Sequence, residues 1–110
     1  MWEIIFSDDN SKGEFYELPS HLLARGLMLL DVLKEKGNNA KGKITEPLRD
    51  GIFEIRIRAE SDIARSLYAY EVGKKIIILT SFVKKTQKTP SDKIELALKR
   101  LKEWKDVNRN

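Results

Sequence analysis

The order of apolar and polar residues in the first third of the chain predicts a strand followed by a helix. Positions 2–6 alternate between the two classes, which is typical of a half-buried strand, and Ser7 to Gly13 is interpreted as the polar turn after it. A helical turn is expected over 14–18. From Ser20 the period changes to three and four residues, and a helix is predicted from there to Gly37, a typical helix end. Its apolar stripe holds Leu23, Gly26, Leu27, Leu30 and Leu33.

Two further strands are predicted in the middle of the chain. Residues 52–58 alternate strictly, so one face packs on a core and the other presents charge. The charged face consists of Glu54, Arg56 and Arg58. Residues 63–71 form the next strand, which a hairpin turn follows. Alternation places Arg65 and Tyr68 on opposite faces, so Arg65 is the candidate site residue and Tyr68 is expected in the core.

The chain then joins an apolar strand to a basic loop and a last helix. Ile76 to Leu79 is apolar without alternation, as in a strand covered on both faces, and we place it at the centre of the sheet. The loop that follows interleaves lysines with hydroxyl and amide side chains, which suit phosphate oxygens. Thr89 is predicted to cap a helix from Pro90 to about Val107, with Asp92 completing a capping box.

The predicted order of elements, β-α-β-β-β-α, indicates an α+β fold: a small twisted antiparallel sheet with helices packed on one face. Residues 1–110 are expected to form one domain, because 110 residues is near the common domain size. No apolar run approaches the ~20 residues that span a bilayer, and the N-terminus lacks the pattern of a secretory signal. We therefore expect a cytoplasmic protein with no membrane partner.

Cysteine and histidine content argues against several kinds of site. The chain has no cysteine and a single histidine, so disulfides, thiolate metal sites and histidine-based metal sites are not expected, and we predict neither a metal nor a small-molecule cofactor. The net charge of +4 is concentrated near the C-terminus, since residues 83–110 hold nine Lys or Arg against four Asp or Glu. Such a basic sector favours an anionic partner such as nucleic acid, although the charge alone also fits a solvated helix face.

The segment Phe82 to Pro90, FVKKTQKTP, resembles the corresponding segment of HigB-type toxins in the RelE/ParE superfamily. Leu48, GIFEIR at 51–56, Arg65 and the apolar strand before Phe82 are similar to the same family, and the N-terminal third is similar only in outline. The resemblance implies a RelE-like fold and metal-independent cleavage of messenger RNA, commonly in the ribosomal A site. It also implies the ribosome, mRNA and a helix-turn-helix antitoxin of the HigA type as partners.

In the reaction that the resemblance implies, a ribose 2′-hydroxyl attacks its own phosphodiester. This chemistry needs a proton acceptor, a proton donor and cations that stabilise the crowded phosphate, with the arginines as the expected stabilisers and the lysines as positioning or proton-transfer groups. The predicted catalytic residues are Arg56, Arg65, Lys84 and Lys85. The residues predicted to bind RNA or phosphate are Arg49, Arg58, Thr86 and Lys88.

One departure from the family pattern leaves the proton acceptor open. Relatives often carry a histidine at the end of the apolar strand, where this chain has Thr80 and Ser81. An imidazole titrates near neutral pH, and the hydroxyls of threonine and serine do not. Either the lysines and the ribosome supply proton transfer, or the chain is less active than its relatives. Two other functions stay open: inhibition of DNA gyrase, as by ParE-like members of the superfamily, and non-enzymatic nucleic-acid binding.

Overall fold

The structure, a computed structural model, describes residues 1–39, 44–85 and 87–108 of the chain. In chain order these residues form strand β1 (Glu3–Phe6), helices α1 (Asp9–Tyr16) and α2 (Ser20–Lys36), a 3-10 helix (Gly37–Asn39), strands β2 (Thr45–Pro47), β3 (Phe53–Ala59), β4 (Asp62–Glu71) and β5 (Lys75–Val83), and helix α3 (Ser91–Asn108). The α+β class is confirmed. Within the described ranges, no helix has the length and apolar content needed to cross a bilayer.

The five strands form one sheet in the order β1-β5-β4-β3-β2. The apolar strand β5 is therefore not central, because β2, which the sequence pattern did not predict, extends the sheet on the far side of β4. Strands β3, β4 and β5 are antiparallel as predicted, but β1 runs parallel to β5, so the sheet is mixed. Helices α1 and α2 carry the chain from one edge to the other, and three reversals then bring it back beside β1 in the same direction.

Apolar side chains form two cores, one on each face of the sheet. Ile76 and Ile78 of β5 belong to the core beneath α1 and α2, and Ile77 and Leu79 belong to the core beneath α3. The prediction that this run is covered on both faces is confirmed. The prediction that the helices pack on one face is wrong. Both faces of β5 are apolar, and each aliphatic side chain that a helix buries fully stabilises the fold by about 1.5–3 kcal/mol, so helices cover both faces.

Helix α1 replaces most of the polar turn that was predicted over Ser7 to Gly13. Asp8 caps it: its carboxylate accepts a hydrogen bond from the backbone N–H of Ser11 at 2.8 Å, and the Ser11 hydroxyl accepts one from the N–H of Asp8 at 3.3 Å. This reciprocal cap starts a helix in a segment with little apolar content. The Asp-x-x-Ser spacing is the signal that could have predicted it. Helix α1 then buries Phe15 in the first core.

Helix α2 has the predicted ends, but its buried stripe is rotated from the predicted one. The buried positions are Leu22, Gly26, Leu29, Leu30 and Leu33. Leu27, which the periodicity placed in the stripe, is exposed. A Cβ at Gly26 would lie 3.0 Å from the Phe15 ring and 3.2 Å from Cδ1 of Ile57. The glycine thus sets the line of closest approach to α1 and β3, and contacts outside the helix decide the stripe.

The cap predicted for the last helix is wrong. Helix α3 begins one residue later than expected, and the carbonyl of Pro90, the predicted first helical residue, accepts a hydrogen bond from the N–H of Lys93 at 3.1 Å. The Thr89 hydroxyl is not a cap, because it is bonded to Glu54 and Arg65 of the sheet. Those contacts join residues that lie far apart in the chain, so local capping rules could not reveal them.

Candidate functional site

Neighbouring strands place a row of functional side chains on the face of the sheet that α3 covers. The strand register sets Arg56 of β3 opposite Arg65 of β4, and Arg65 opposite Phe82 of β5. Glu54 lies two residues before Arg56 on the same face, because side chains alternate along a strand. The strict alternation predicted for β3 is confirmed, and it brings a carboxylate and two guanidinium groups together.

Two clefts beside this row share Arg65, Lys88 and Pro90 in their lining. The lysine cleft has a volume of about 450 Å³, and the arginine cleft has a volume of about 870 Å³. The lysine cleft is further lined by Phe82, Lys84, Lys85 and Lys93. The arginine cleft is further lined by Glu46, Arg49, Arg56 and Ser91. Arg65 therefore connects two basic concave surfaces.

Arg65 is 5% exposed and ties the basic loop to the sheet. Its Nη1 donates to both carboxylate oxygens of Glu54 at 3.0 Å and to the hydroxyl of Thr89, and its Nη2 donates to the carbonyl of Gln87 at 2.9 Å. Its Nε is buried and has no hydrogen-bond partner among the described residues. Arg65 thus holds residues 87–89 against the sheet, and its buried Nε–H is not satisfied by the described residues.

Glu54 is the site residue that sequence reasoning missed. Its carboxylate is fully buried, bonds Arg65, accepts a hydrogen bond from Thr89 and lies 3.5 Å from Nε of Arg56. A buried carboxylate is stable only when it is paired and hydrogen-bonded, and this one has both kinds of partner. The available signal is its position two residues before Arg56 on an alternating strand, but alternation alone predicts only that Glu54 shares the charged face.

Arg56 faces the arginine cleft with its side chain 26% exposed. One terminal nitrogen forms an ion pair with the exposed carboxylate of Glu46, and Nε faces Glu54. The hydrogen bond to Glu46 raises the pKa of the Arg56 guanidinium, so the charge persists at any physiological pH. Arg56 is consequently a permanent cation whose partly exposed terminal nitrogen is paired with the exposed carboxylate of Glu46.

The predicted lysines meet Arg65 at the lysine cleft. Lys84 and Lys85 line this cleft, and Lys88 lines both clefts. The backbone N–H of Lys84 donates to the carbonyl of Ile63 at 2.7 Å, which fixes the start of the loop against β4. Thr86, also predicted to bind phosphate, lies outside the described residues.

The other two predicted arginines occupy more exposed positions. Arg49 lines the arginine cleft and donates to Asp50 at 2.8 Å and to Glu95 of α3 at 2.9 Å. The hydrogen bond to Glu95, and to a smaller extent the one to Asp50, raises the pKa of the Arg49 guanidinium. Arg58 is exposed farther along β3 and lines neither cleft. Arg49 is therefore placed near Arg56, whereas Arg58 is not brought into the site.

Thr80 and Ser81, which occupy the position where relatives often carry a histidine, are buried. The Thr80 hydroxyl donates to Oε1 of Glu14 at 2.7 Å, and the Ser81 hydroxyl shares a hydrogen bond of 2.5 Å with Ser66. Glu14 also accepts hydrogen bonds from Arg100 of α3 at 2.8 and 2.9 Å. Both hydroxyls thus join α1 and β4 to β5, and neither lines the two clefts.

Glu14 makes this buried network sensitive to acid. Burial raises the pKa of its carboxyl, but the hydrogen bonds from Arg100, Thr80 and the Ser81 backbone outweigh burial and lower that pKa below its ordinary value of 4.5. A lowered folded-state pKa stabilises the fold above the unfolded-state value, and the stabilisation is lost as the pH falls through the folded-state value. Glu14 therefore contributes its full effect at neutral pH.

We expect Glu14→Gln to be less stable than the wild-type chain at pH 7 and to lose less stability on acidification to pH 3, because glutamine cannot be protonated. Urea unfolding at the two pH values measures both differences. Glu17→Gln, which removes an exposed carboxylate just beyond α1, is the matched control and should behave as wild type. Equal acid sensitivity of Glu14→Gln and wild type would contradict the role assigned to Glu14.

Comparison with known proteins identifies relatives over most of the chain. The family model described as "Phage derived protein Gp49-like (DUF891)" matches residues 13–102, which include the whole row and both clefts. Two relatives from strains of Mycobacterium tuberculosis, each named "Probable endoribonuclease HigB1", are 38% identical over 94 residues, or 86% of this chain and 73% of each relative.

Two solved structures share the fold. The first is the RelBE2 toxin–antitoxin complex of Mycobacterium tuberculosis, with a TM-score of 0.56, 19% identity and coverage of 76% of this chain and 98% of that chain. The second is the archaeal RelE–RelB complex of Pyrococcus horikoshii, with a TM-score of 0.55, 18% identity and coverage of 74% and 93%. At these identities the likeness concerns the fold, and it confirms the RelE-like architecture predicted from the sequence.

Proposed function

Because the chain belongs to the Gp49-like, HigB-type family of RelE-superfamily toxins, we propose that it is the toxin of a type II toxin–antitoxin pair and inhibits translation by cleaving messenger RNA on the ribosome. The observation that carries this proposal is the shared position of Arg65 between two basic clefts. One strand of RNA laid across both clefts brings a phosphate to Arg65, with Arg56 on one side and Lys84 on the other.

The proposed reaction is an intramolecular transfer of the phosphoryl group from the 5′-oxygen of one nucleotide to the 2′-oxygen of the preceding nucleotide. The 2′-oxygen loses its proton and bonds to phosphorus, the bond to the 5′-oxygen breaks, and that oxygen takes up a proton, which leaves a cyclic phosphate and a 5′-hydroxyl. Arg56 and the free Nε of Arg65 stabilise the negative charge that grows on the phosphate. Lys84 and Lys85 position the phosphate and take part in proton transfer, because the buried Thr80 and Ser81 line neither cleft.

The partners in this proposal follow from the same family. A toxin of this kind needs an antitoxin, and we propose a helix-turn-helix protein of the HigA type, together with the ribosome and its mRNA in the cytoplasm. The two solved structures reported above are the RelBE2 toxin–antitoxin complex and a RelE–RelB complex, which supports an antitoxin as partner. We also propose that residues 1–110 act as one domain and that the reaction uses no metal and no small-molecule cofactor.

Cleavage by the purified chain in the presence of ribosomes tests the function. We expect mRNA bound to ribosomes to be cut at ends in phase with codons, and the same mRNA without ribosomes to stay intact. In a second experiment, ribosomes are assembled on the mRNA and crosslinked so that they stay intact, and divalent metal is then removed with a chelator. The rate of mRNA cleavage should be unchanged. Loss of supercoiling by DNA gyrase without RNA cleavage would instead favour the ParE-like alternative, and RNA binding without either activity would favour a non-enzymatic module.

Glu46→Gln is expected to increase cleavage, because the carboxylate of Glu46 competes with the phosphate for Arg56. An exposed ion pair is worth about 0.2–1 kcal/mol, so the increase in kcat/KM should be at most about 5-fold and the unfolding free energy should change little. Steady-state cleavage of ribosome-bound mRNA measures it, with Glu35→Gln, which removes an exposed carboxylate of α2 outside both clefts, as the matched control. A large loss of activity in Glu46→Gln would show instead that Glu46 takes part in proton transfer.

A further inference from the structure

The lysine cleft contains an aromatic ring among its cations. Phe82 is half-buried, contacts the core beneath α3 and lines the cleft opposite Arg65. The ammonium group of Lys93, from the first turn of α3, lies over the ring at 5.3 Å from its centroid. This distance is within the range of about 6 Å for a cation–π contact. The cleft therefore combines a π surface with five positively charged side chains, those of Arg65, Lys84, Lys85, Lys88 and Lys93.

This combination is more than a phosphate requires. Phosphate oxygens are bound by cations and N–H groups alone, whereas an aromatic face beside a basic track is the arrangement that binds single-stranded nucleic acid through its bases. The volume of about 450 Å³ is in the range of about 300–1,000 Å³ seen for small-molecule sites, so there is room for one nucleobase.

We propose that the lysine cleft is a nucleobase subsite, in which one base next to the cleaved phosphate stacks on Phe82 and Lys93 binds an adjoining phosphate. The inference rests on the proposed function, since it assumes an RNA substrate. A base that stacks on the ring takes the place of the Lys93 ammonium, and the displaced ammonium is then free to pair with the RNA backbone. Phe82 and Lys93 lie outside the set of residues that the sequence predicted for the site.

Arg65 supplies an independent observation that points to a ligand here. Its side chain is more than nine-tenths buried, both terminal nitrogens are bonded within the protein, and Nε has no partner among the described residues. An unsatisfied buried N–H costs about 1–3 kcal/mol, and a phosphate oxygen would satisfy it. Arg65 lines both clefts and is the register partner of Phe82, so a phosphate bound by Arg65 lies next to the Phe82 ring.

A purely structural role for Phe82 predicts a different result from a stacking role. If the ring only fills the edge of the core, its replacement changes stability, and the effect on RNA does not depend on any particular base. If the ring stacks, the effect on RNA disappears when the stacked base is removed. Coupling between a protein substitution and a base deletion therefore separates the two roles.

The test uses Phe82→Leu, which keeps an apolar side chain in the core, and RNAs that are abasic at single positions flanking the cleaved phosphate. Cleavage of ribosome-bound mRNA is measured for each pair. Phe82→Leu should lower kcat/KM by about 5- to 150-fold on intact RNA, the range reported for loss of one base–aromatic stack. One abasic position should lower wild-type kcat/KM by a similar factor and have no further effect on the variant. Phe82→Trp should retain the coupling.

Lys93→Gln should lower kcat/KM severalfold, and Lys99→Gln, an exposed lysine of α3 outside the cleft, is its matched control. Binding of RNA with a 2′-deoxy nucleotide at the cleaved position is measured in parallel. The same Phe82–base coupling in binding but no cleavage by wild type would overturn the proposed nuclease function and leave the subsite standing. Independent effects of Phe82→Leu and every abasic position, or unchanged kcat/KM in Phe82→Leu, would overturn the subsite.

Discussion

Replacing Glu54 with alanine is expected to lower the free energy of unfolding by about 3–5 kcal/mol, the usual cost of removing one partner of a buried ion pair. Glu54 is fully buried, and both of its carboxylate oxygens lie 3.0 Å from Nη1 of Arg65. The variant leaves the Arg65 guanidinium in the interior without its counter-ion. Arg65→Ala should cost a similar amount, because it leaves the buried Glu54 carboxylate with only the longer ion pair to Arg56 at 3.5 Å.

A double-mutant cycle in urea measures this coupling. Glu54→Leu and Arg65→Met should each destabilise the chain, and the double variant should recover most of the loss, because apolar side chains of similar volume can replace a buried pair. Arg58→Ala, an exposed arginine on the same strand, is the matched control and should shift stability by less than about 0.5 kcal/mol. The recovered double variant should still fail to cleave RNA. Additive losses in the double variant would contradict the ion pair as the source of the stability.

Arg56→Ala and Lys84→Ala are expected to lower the rate of RNA cleavage by about 10²–10³-fold each, the effect of losing one donor to a developing oxyanion. Arg56 is partly exposed and its ion pair with Glu46 is at the surface, so its loss should change the unfolding free energy by less than about 1 kcal/mol. Arg56 has only a long contact with Glu54 and is more exposed than Arg65, so Arg56→Ala and Lys84→Ala should reduce cleavage without unfolding the chain.

Growth inhibition, codon-phased cleavage and thermal midpoint are measured together for both variants. Lys102→Ala, an exposed lysine near the C-terminal end of α3 that pairs with Asp106, is the matched control and should cleave as wild type. Wild-type cleavage rates in Arg56→Ala and Lys84→Ala would remove these residues from the site. Activity that falls only in step with the thermal midpoint would assign the loss to unfolding.

The positions of β1, β3, β4 and β5 and of the two long helices were determined by the sequence itself. The alternation over residues 52–58 set which side of β3 is charged, and the change of period after Ser20 set the bounds of α2, because periodicity depends only on neighbours a few residues apart. The prediction of a polar turn where α1 forms was wrong for a reason that is also local. The cap of α1 is present in the sequence, but the segment lacks the apolar stripe that usually marks a helix.

The tertiary structure decided which elements are neighbours in the fold. The sequence could not show that β1 pairs with β5, or that α3 covers the face opposite α2, since these depend on the path of the whole chain. The α2 stripe likewise turned toward Gly26 because Phe15 and Ile57 approach it there. Helix packing is set by the surfaces that meet, whereas periodicity describes only one of them.

The site divides along the same line. The resemblance to HigB-type toxins, rather than the spacing of basic residues alone, led to the prediction of Arg56, Arg65 and Lys84 as site residues. Only the structure assigned a role to Glu54, which meets Arg65 across 11 positions of the chain, and to Thr89, which meets Glu54 across 35. The sequence shows which residues are charged, but the fold determines their partners, because it brings distant strands and loops into contact.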